Sequence, residues 1–171
     1  MNGPLHQFFA GDHRRLDAFL SAATLKPGAV DLEPFGRFRA GLLRHIGMEE
    51  KLLFPALRAA RSEATEITAR LRVDHGALTA LLVPTPTPAI IEKILFVLGP
   101  HNRREEESEG VYALADDALG ATEVERLLRQ AEAFPEPPLK PYNDGPEVMK
   151  HVELTCDLSW HQWAGSDDRG A

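Results

Sequence analysis

Residues 12–20, Asp-His-Arg-Arg-Leu-Asp-Ala-Phe-Leu, and residues 74–82, Asp-His-Gly-Ala-Leu-Thr-Ala-Leu-Leu, open on the same pair and carry leucines at the same offsets. A second matched element follows each: His45-Ile-Gly-Met-Glu49-Glu50, then His101-Asn-Arg-Arg-Glu105-Glu106. The chain thus repeats one pattern, a lone histidine in an amphipathic segment followed by His-x-x-x-Glu in the next. Residues four apart share one helix face, about 6 Å apart along the axis. Two helical hairpins built this way aim His13, His45, His75 and His101, with Glu49 and Glu105, at a common interior.

Outward from the repeat, the apolar spacing is helical. Leu5, Phe8, Phe9, Leu16, Phe19 and Leu20 predict a first helix over about 3–24, stopped by Lys26-Pro27-Gly28. A second starts at Glu33-Pro34 and continues through Pro55, which bends it, to about Arg61. A third covers about 62–83. Pro84-Thr-Pro-Thr-Pro88 is a stiff connector, and a fourth helix spans about 89–119 with a kink at Pro100. Four long helices with short connections give an all-α, antiparallel up-down four-helix bundle. A short fifth helix, 122–133, completes a domain over 1–134. The remainder, 135–171, reads as a Pro-rich linker and an extended tail. In it Val148, Val152, Leu154, Cys156, Leu158 and Trp160 fall in the period-two pattern of a strand. That tail is expected to dock on the bundle or on a second subunit, which makes a homodimer possible. Residues 165–171 are expected to be disordered.

A formal net charge of −7 disfavours a nucleic-acid partner, which selects for a basic face. No apolar run reaches the length of a membrane span, and residues 1–10 lack a secretory-signal pattern, so a cytoplasmic location is expected. The single cysteine, Cys156, excludes an internal disulfide and a thiolate cluster.

The donor set is therefore mixed nitrogen and oxygen, which disfavours structural zinc and iron–sulfur clusters. Inward Glu and His on bundled helices suit paired iron or manganese. Four imidazoles and two bridging carboxylates leave each of two ions short of six ligands, with room for a small exogenous ligand. A histidine taken alone is more often a satisfied or surface residue. Here four fall on apolar faces together, where unpaired imidazoles and carboxylates would cost several kcal/mol. Asp17, one turn beyond His13, is expected in an outer role. Asp12 and Asp74 are read as helix-surface or capping residues, Glu50 and Glu106 as a solvated face. His6, His151 and His161 lie outside the repeat and are given structural roles.

Asp12-His13, His45-x-x-x-Glu49-Glu50 with Leu53-Phe54-Pro55, Asp74-His75, and His101-Asn-x-x-Glu105-Glu106 with Val111-Tyr112 together resemble the hemerythrin-like, or HHE cation-binding, family over about residues 5–119. The resemblance implies a four-helix bundle around a non-haem di-iron centre with bridging carboxylates, manganese or zinc being substitutes. Oxygen-carrying members have a second histidine on the third helix. Here Leu71 and Thr79 occupy the places beside His75, so one imidazole is missing. The set is closer to relatives in iron–sulfur repair and nitric-oxide stress, without the Cys-containing N-terminal extension of that branch. The resemblance implies a protein that binds oxygen, nitric oxide or peroxide in sensing, storage or stress response. A di-iron redox enzyme, an iron–sulfur repair factor and a metal-free interaction bundle are the competing readings, and turnover is left open. Glu105 to Tyr112 is two residues longer than Glu49 to Phe54, which predicts a bulge or kink after Glu105.

Overall fold

The computed structural model describes residues 2–164, and every regular element among them is helical. Helix α1 covers Pro4–Ala23 and α2 covers Leu32–Met48. A π-helical turn at Glu49–Leu53 leads directly into α3, Phe54–Ala60. Then follow α4 (Ala64–Leu81), α5 (Pro88–Glu106), α6 (Val111–Ala118), α7 (Ala121–Glu132) and α8 (Pro146–Gln162). No helix among the described residues is long and apolar enough to cross a membrane.

Local chemistry sets the helix ends. Pro4, Pro88 and Pro146 sit in first turns, where a missing N–H leaves no bond unmade. Asp31 caps α2 by accepting from Glu33 N–H, and Thr87 caps α5 by accepting from Ile90 N–H. The start of α1 is capped from a distance. Asp116 on α6 accepts from Leu5 and His6 N–H at 2.9 and 3.0 Å, favoured by the positive end of the helix dipole.

The apolar faces form two clusters with a polar layer between them. One holds Leu16, Leu20, Phe38, Leu42, Leu78, Ile94 and Leu98. The other holds Leu5, Phe9, Met48, Phe54, Leu71, Val111 and Tyr112. Helices α1 and α4 leave the second cluster and enter the first, α2 runs from the first to the second, and α5 leaves the first and is followed by α6 in the second. Each crosses the layer at a histidine of the repeat.

Three sequence expectations are corrected. The bend expected at Pro55 is a π turn just before it, in which Phe54 N–H reaches back to Glu49 O. The wider turn relieves the clash of the Pro55 ring with the preceding turn. The fourth helix does not reach residue 119. It ends at Glu106 after three consecutive glutamates begin, and α6 restarts after Gly110. Helix α5 continues through Pro100. The tail is helical, not a strand. Met149, Val152, Cys156, Ser159 and Trp163 recur at three- and four-residue intervals and face the bundle, whereas Leu154 and Leu158, members of the alternating pattern, are exposed. Helix α8 lies along α4 and also touches α5. The expectation of disorder at 165–171 falls outside the described residues.

Gly110 is required by close approach. A Cβ there would lie 2.6 Å from Glu105 O and 2.8 Å from Arg104 O, both backbone atoms. Gly110→Ala is expected to destabilise the fold by about 1–3 kcal/mol through this overpacking, measured by chemical denaturation.

Candidate metal centre

The structure brings all six predicted residues together in the polar layer. His13 comes from α1, His45 from α2, Glu49 from the π turn, His75 from α4, and His101 and Glu105 from α5. All are buried, Glu49 and Glu105 at 0% exposure. Each carboxylate spans two imidazoles. Glu49 places Oε1 3.5 Å from His45 Nε2 and Oε2 3.2 Å from His75 Nε2. Glu105 places Oε1 3.2 Å from His101 Nε2 and Oε2 3.5 Å from His13 Nε2. The rings pair as His13–His45, centroids 4.4 Å apart, and His75–His101, at 4.9 Å.

Behind every imidazole stands a second carboxylate, and here the sequence reading is corrected. His13 Nδ1 lies 2.6 Å from Glu106, His45 Nδ1 2.9 Å from Asp12, His75 Nδ1 3.0 Å from Glu50, and His101 Nδ1 3.4 Å from Asp74. These four acids are neither a solvated face nor capping groups. With Nδ1–H donated outward, each ring turns Nε2 toward the shared interior, the arrangement that orients metal-ligating histidines. The repeat carried the signal, since Asp-His and Glu-Glu recur as whole pairs. The pairing is crossed: Asp12 and Asp74 hold the histidine of their own repeat's second element, Glu50 and Glu106 the lone histidine of the other repeat. Asp17 is exposed and is not the acid behind His13, because Glu106 occupies that place. His6 is buried at the edge, 2.7 Å from Glu106 O, and Thr79 donates to Gly76 O in its own helix.

Tyr112, which the sequence offered as part of the second repeat's motif without a place at the centre, reaches it. Its hydroxyl donates to Glu49 Oε1 at 2.7 Å and lies 3.2 Å from Glu105 Oε2, 3.2 Å from His13 Nε2 and 3.3 Å from His45 Nε2. Burial, then the charges of Glu105 and Glu49, hold this phenol well above its ordinary range, so it keeps its proton in the metal-free chain. In the other repeat the matching aromatic is Phe54, stacked on His75 at 5.7 Å with no polar atom to offer.

The residues fit a cation. Glu49 Oε2, His75 Nε2 and Glu105 Oε1 are buried and make no hydrogen bond, although the first two lie 3.2 Å apart. Such orphaned atoms are costly unless something positive sits among them. Ligating atoms of Glu49, His75, His101 and Glu105 all lie within 4.8 Å of one another, as do those of His13, His45 and Glu105.

Comparison with known proteins agrees with this chemistry. Residues 5–83 match the family model described as the hemerythrin HHE cation binding domain, a span that includes the first repeat and Asp74-His75. Nothing among curated proteins or solved structures matches.

Burial pushes the His45 and His101 rings down, but Glu49 with Asp12, and Glu105 with Asp74, override it and raise both to about 10 from 6.5. Burial also raises Asp12, but His45 and Arg15 bring it down to about 2 from 3.8. The protonated rings therefore contribute fully below pH 6.5, and that stability is lost as pH rises through about 10. The Asp12 contribution is present above pH 3.8 and lost as pH falls through about 2. Urea unfolding with chelator present is expected to give maximal stability between these limits and a decline from pH 6.5 to 10. A flat profile over that upper range contradicts the assignment.

Proposed function

We propose that this centre holds two iron ions and binds a small ligand (oxygen, nitric oxide or peroxide) in sensing, storage or stress response. The carrying observation is the convergence of four Nε2 atoms and two spanning carboxylates inside a buried layer, with orphaned atoms concentrated on one side. His13, His45 and Tyr112 would hold one ion, His75 and His101 the other, with Glu49 and Glu105 shared. The order in which the helices cross the layer supports an antiparallel up-down four-helix bundle across both repeats, so the likeness extends past the matched span. When bound, the pair supplies redox-active, Lewis-acidic positions for the ligand.

The two halves differ in what the chain offers. On the His13–His45 side the Tyr112 oxygen adds a donor, so that half is nearer to closed. On the His75–His101 side Phe54 adds none, and Thr79 stands where an imidazole is missing. A surface cavity of about 340 Å³, lined by Ile46, Glu50, Arg72, His75, Gly76 and Thr79, opens beside this half. The exogenous ligand is accordingly assigned to the His75–His101 side. Helix-borne side chains and the carboxylates behind them keep the imidazoles aimed without rearrangement.

A second reading, turnover at the same centre, is favoured by Tyr112. In this reading Tyr112 is not a ligand and keeps its proton, which its hydroxyl donates to Glu49 beside Glu105, within reach of a bound substrate. Steady-state consumption of peroxide or nitric oxide with an electron donor, lost in Tyr112→Phe, supports turnover; stoichiometric binding alone argues against it.

Anaerobic reconstitution is expected to give two irons per chain by metal analysis, and none in the Glu49→Ala, Glu105→Ala double variant. Iron should raise thermal stability, by about 2.7 kcal/mol at a hundredfold excess over Kd. Oxidised wild type should show a visible phenolate-to-iron band that Tyr112→Phe lacks while retaining both ions. Fewer than two ions in wild type overturns the reading.

A further inference from the structure

The four acids behind the imidazoles are not held alike. Asp12 is paired with Arg15 of its own helix at 2.8 Å and Glu50 with Arg72 of α4 at 3.4 Å, both arginines partly exposed. Asp74 is buried, and the chain reaches it from α8, an element with no counterpart in the first repeat. Ser159 Oγ donates to Asp74 Oδ1 at 2.6 Å, and Gln162 Nε2 donates to the same oxygen at 2.8 Å. Trp163 Nε1–H lies 3.2 Å from both carboxylate oxygens. This indole is clasped between guanidinium groups, Arg70 3.9 Å and Arg104 3.7 Å from the ring centroid. Gln162 is fixed in turn through Arg70, whose backbone oxygen accepts from it at 2.9 Å and whose guanidinium donates to Gln162 O.

These donors compete with His101. A carboxylate that accepts from three other groups has less charge density left for a fourth. The distances agree: His101 Nδ1 stands 3.4 Å from Asp74, whereas His45 Nδ1 stands 2.9 Å from Asp12. A separation of 3.4 Å is long for an N–H···O bond, and the pull on the ring proton falls with it. Less pull on Nδ1–H makes Nε2 a weaker donor.

We infer that α8 is a positioning element for His101. Through Ser159, Gln162 and Trp163 it sets how strongly Asp74 draws on that imidazole, and hence the donor strength of the His75–His101 half. This rests on the two-ion reading above. A weaker imidazole donor favours the reduced ion, so α8 raises the reduction potential of the half left open to ligand. By reciprocity, whatever strengthens or loosens the α8 clasp changes metal affinity, and metal changes the clasp.

The test compares iron-loaded wild type with Ser159→Ala and Trp163→Phe, each of which removes one donor from Asp74. Val152→Ala serves as control, because Val152 is buried on α8 in the apolar cluster and does not touch Asp74. The readouts are iron per chain, midpoint potential by redox titration, and the Mössbauer doublet of each ion. Ser159→Ala and Trp163→Phe are expected to keep two irons, shift one midpoint to more negative potential and change one doublet. Asp74→Asn should weaken one ion by about 10- to 100-fold and leave the other in place. Val152→Ala should lower the melting temperature with potentials unchanged. Wild-type potentials and doublets in both donor variants, or equal shifts in Val152→Ala, overturn the positioning role alone. A wild type that takes fewer than two irons overturns the two-ion reading and this inference with it.

Discussion

Two carboxylates with no access to water, Glu49 and Glu105, impose the constraint on which the rest of this structure depends. A buried carboxylate needs a compensating positive charge, and among the described residues the ion partners of these two are all histidines. Counting Asp12, Glu50, Asp74 and Glu106, six acids surround four imidazoles, and among the described residues Arg15 and Arg72 form ion pairs with this set. With neutral rings four negative charges remain. Two divalent ions would cancel them, and so would four protons on the rings. The same interior can thus be closed by metal or by acid, and metal uptake must release protons. That exchange links the raised His45 and His101 to a cation site instead of a permanent ion-pair network.

The duplication supplies near-symmetry, and the chain breaks it at two points. Tyr112 against Phe54 changes the number of donors on one side. Helix α8 changes the environment behind one imidazole on the other. Both act on the same distinction, leaving the His75–His101 half with fewer and weaker donors than its partner. A site with two equal halves has no reason to direct a ligand to either. This one does.

Much of this was legible because repetition is hard to produce by accident. The convergence of the six central residues followed from the doubled pattern of a lone histidine and His-x-x-x-Glu at helical spacing, although the bounds of the helices that carry the glutamates did not. The supporting acids were missed for a definite reason. A helical wheel places Asp12 about 100° from His13 and so away from that ring, but the ring it serves is His45 on the next helix. Single-helix geometry cannot show a partner on another helix. The tail misled through coincidence: Val148, Val152, Leu154 and Leu158 satisfy a period of two, while burial follows Met149, Val152, Cys156 and Ser159. Nothing local distinguishes the patterns until α4 supplies the surface to be covered.

The unequal spacing after the two glutamates ties local backbone to chemistry. Both repeats must place Glu-Glu so that the first residue faces the centre and the second faces an imidazole, then return an aromatic ring over the layer. The first repeat does so through the π turn, and Phe54 arrives face-on to His75, 3° from parallel. The second takes two more residues, ends α5 and turns against its backbone at Gly110. Tyr112 then arrives tilted by 42° to His13, with its hydroxyl directed at Glu49. A residue stacked like Phe54 would turn a hydroxyl past the carboxylates, so exchanging Phe for Tyr at position 54 alone would not reproduce the Tyr112 contact. The extra length, the glycine and the tyrosine therefore form one device, and the asymmetry of the centre is built into the backbone before any side chain differs.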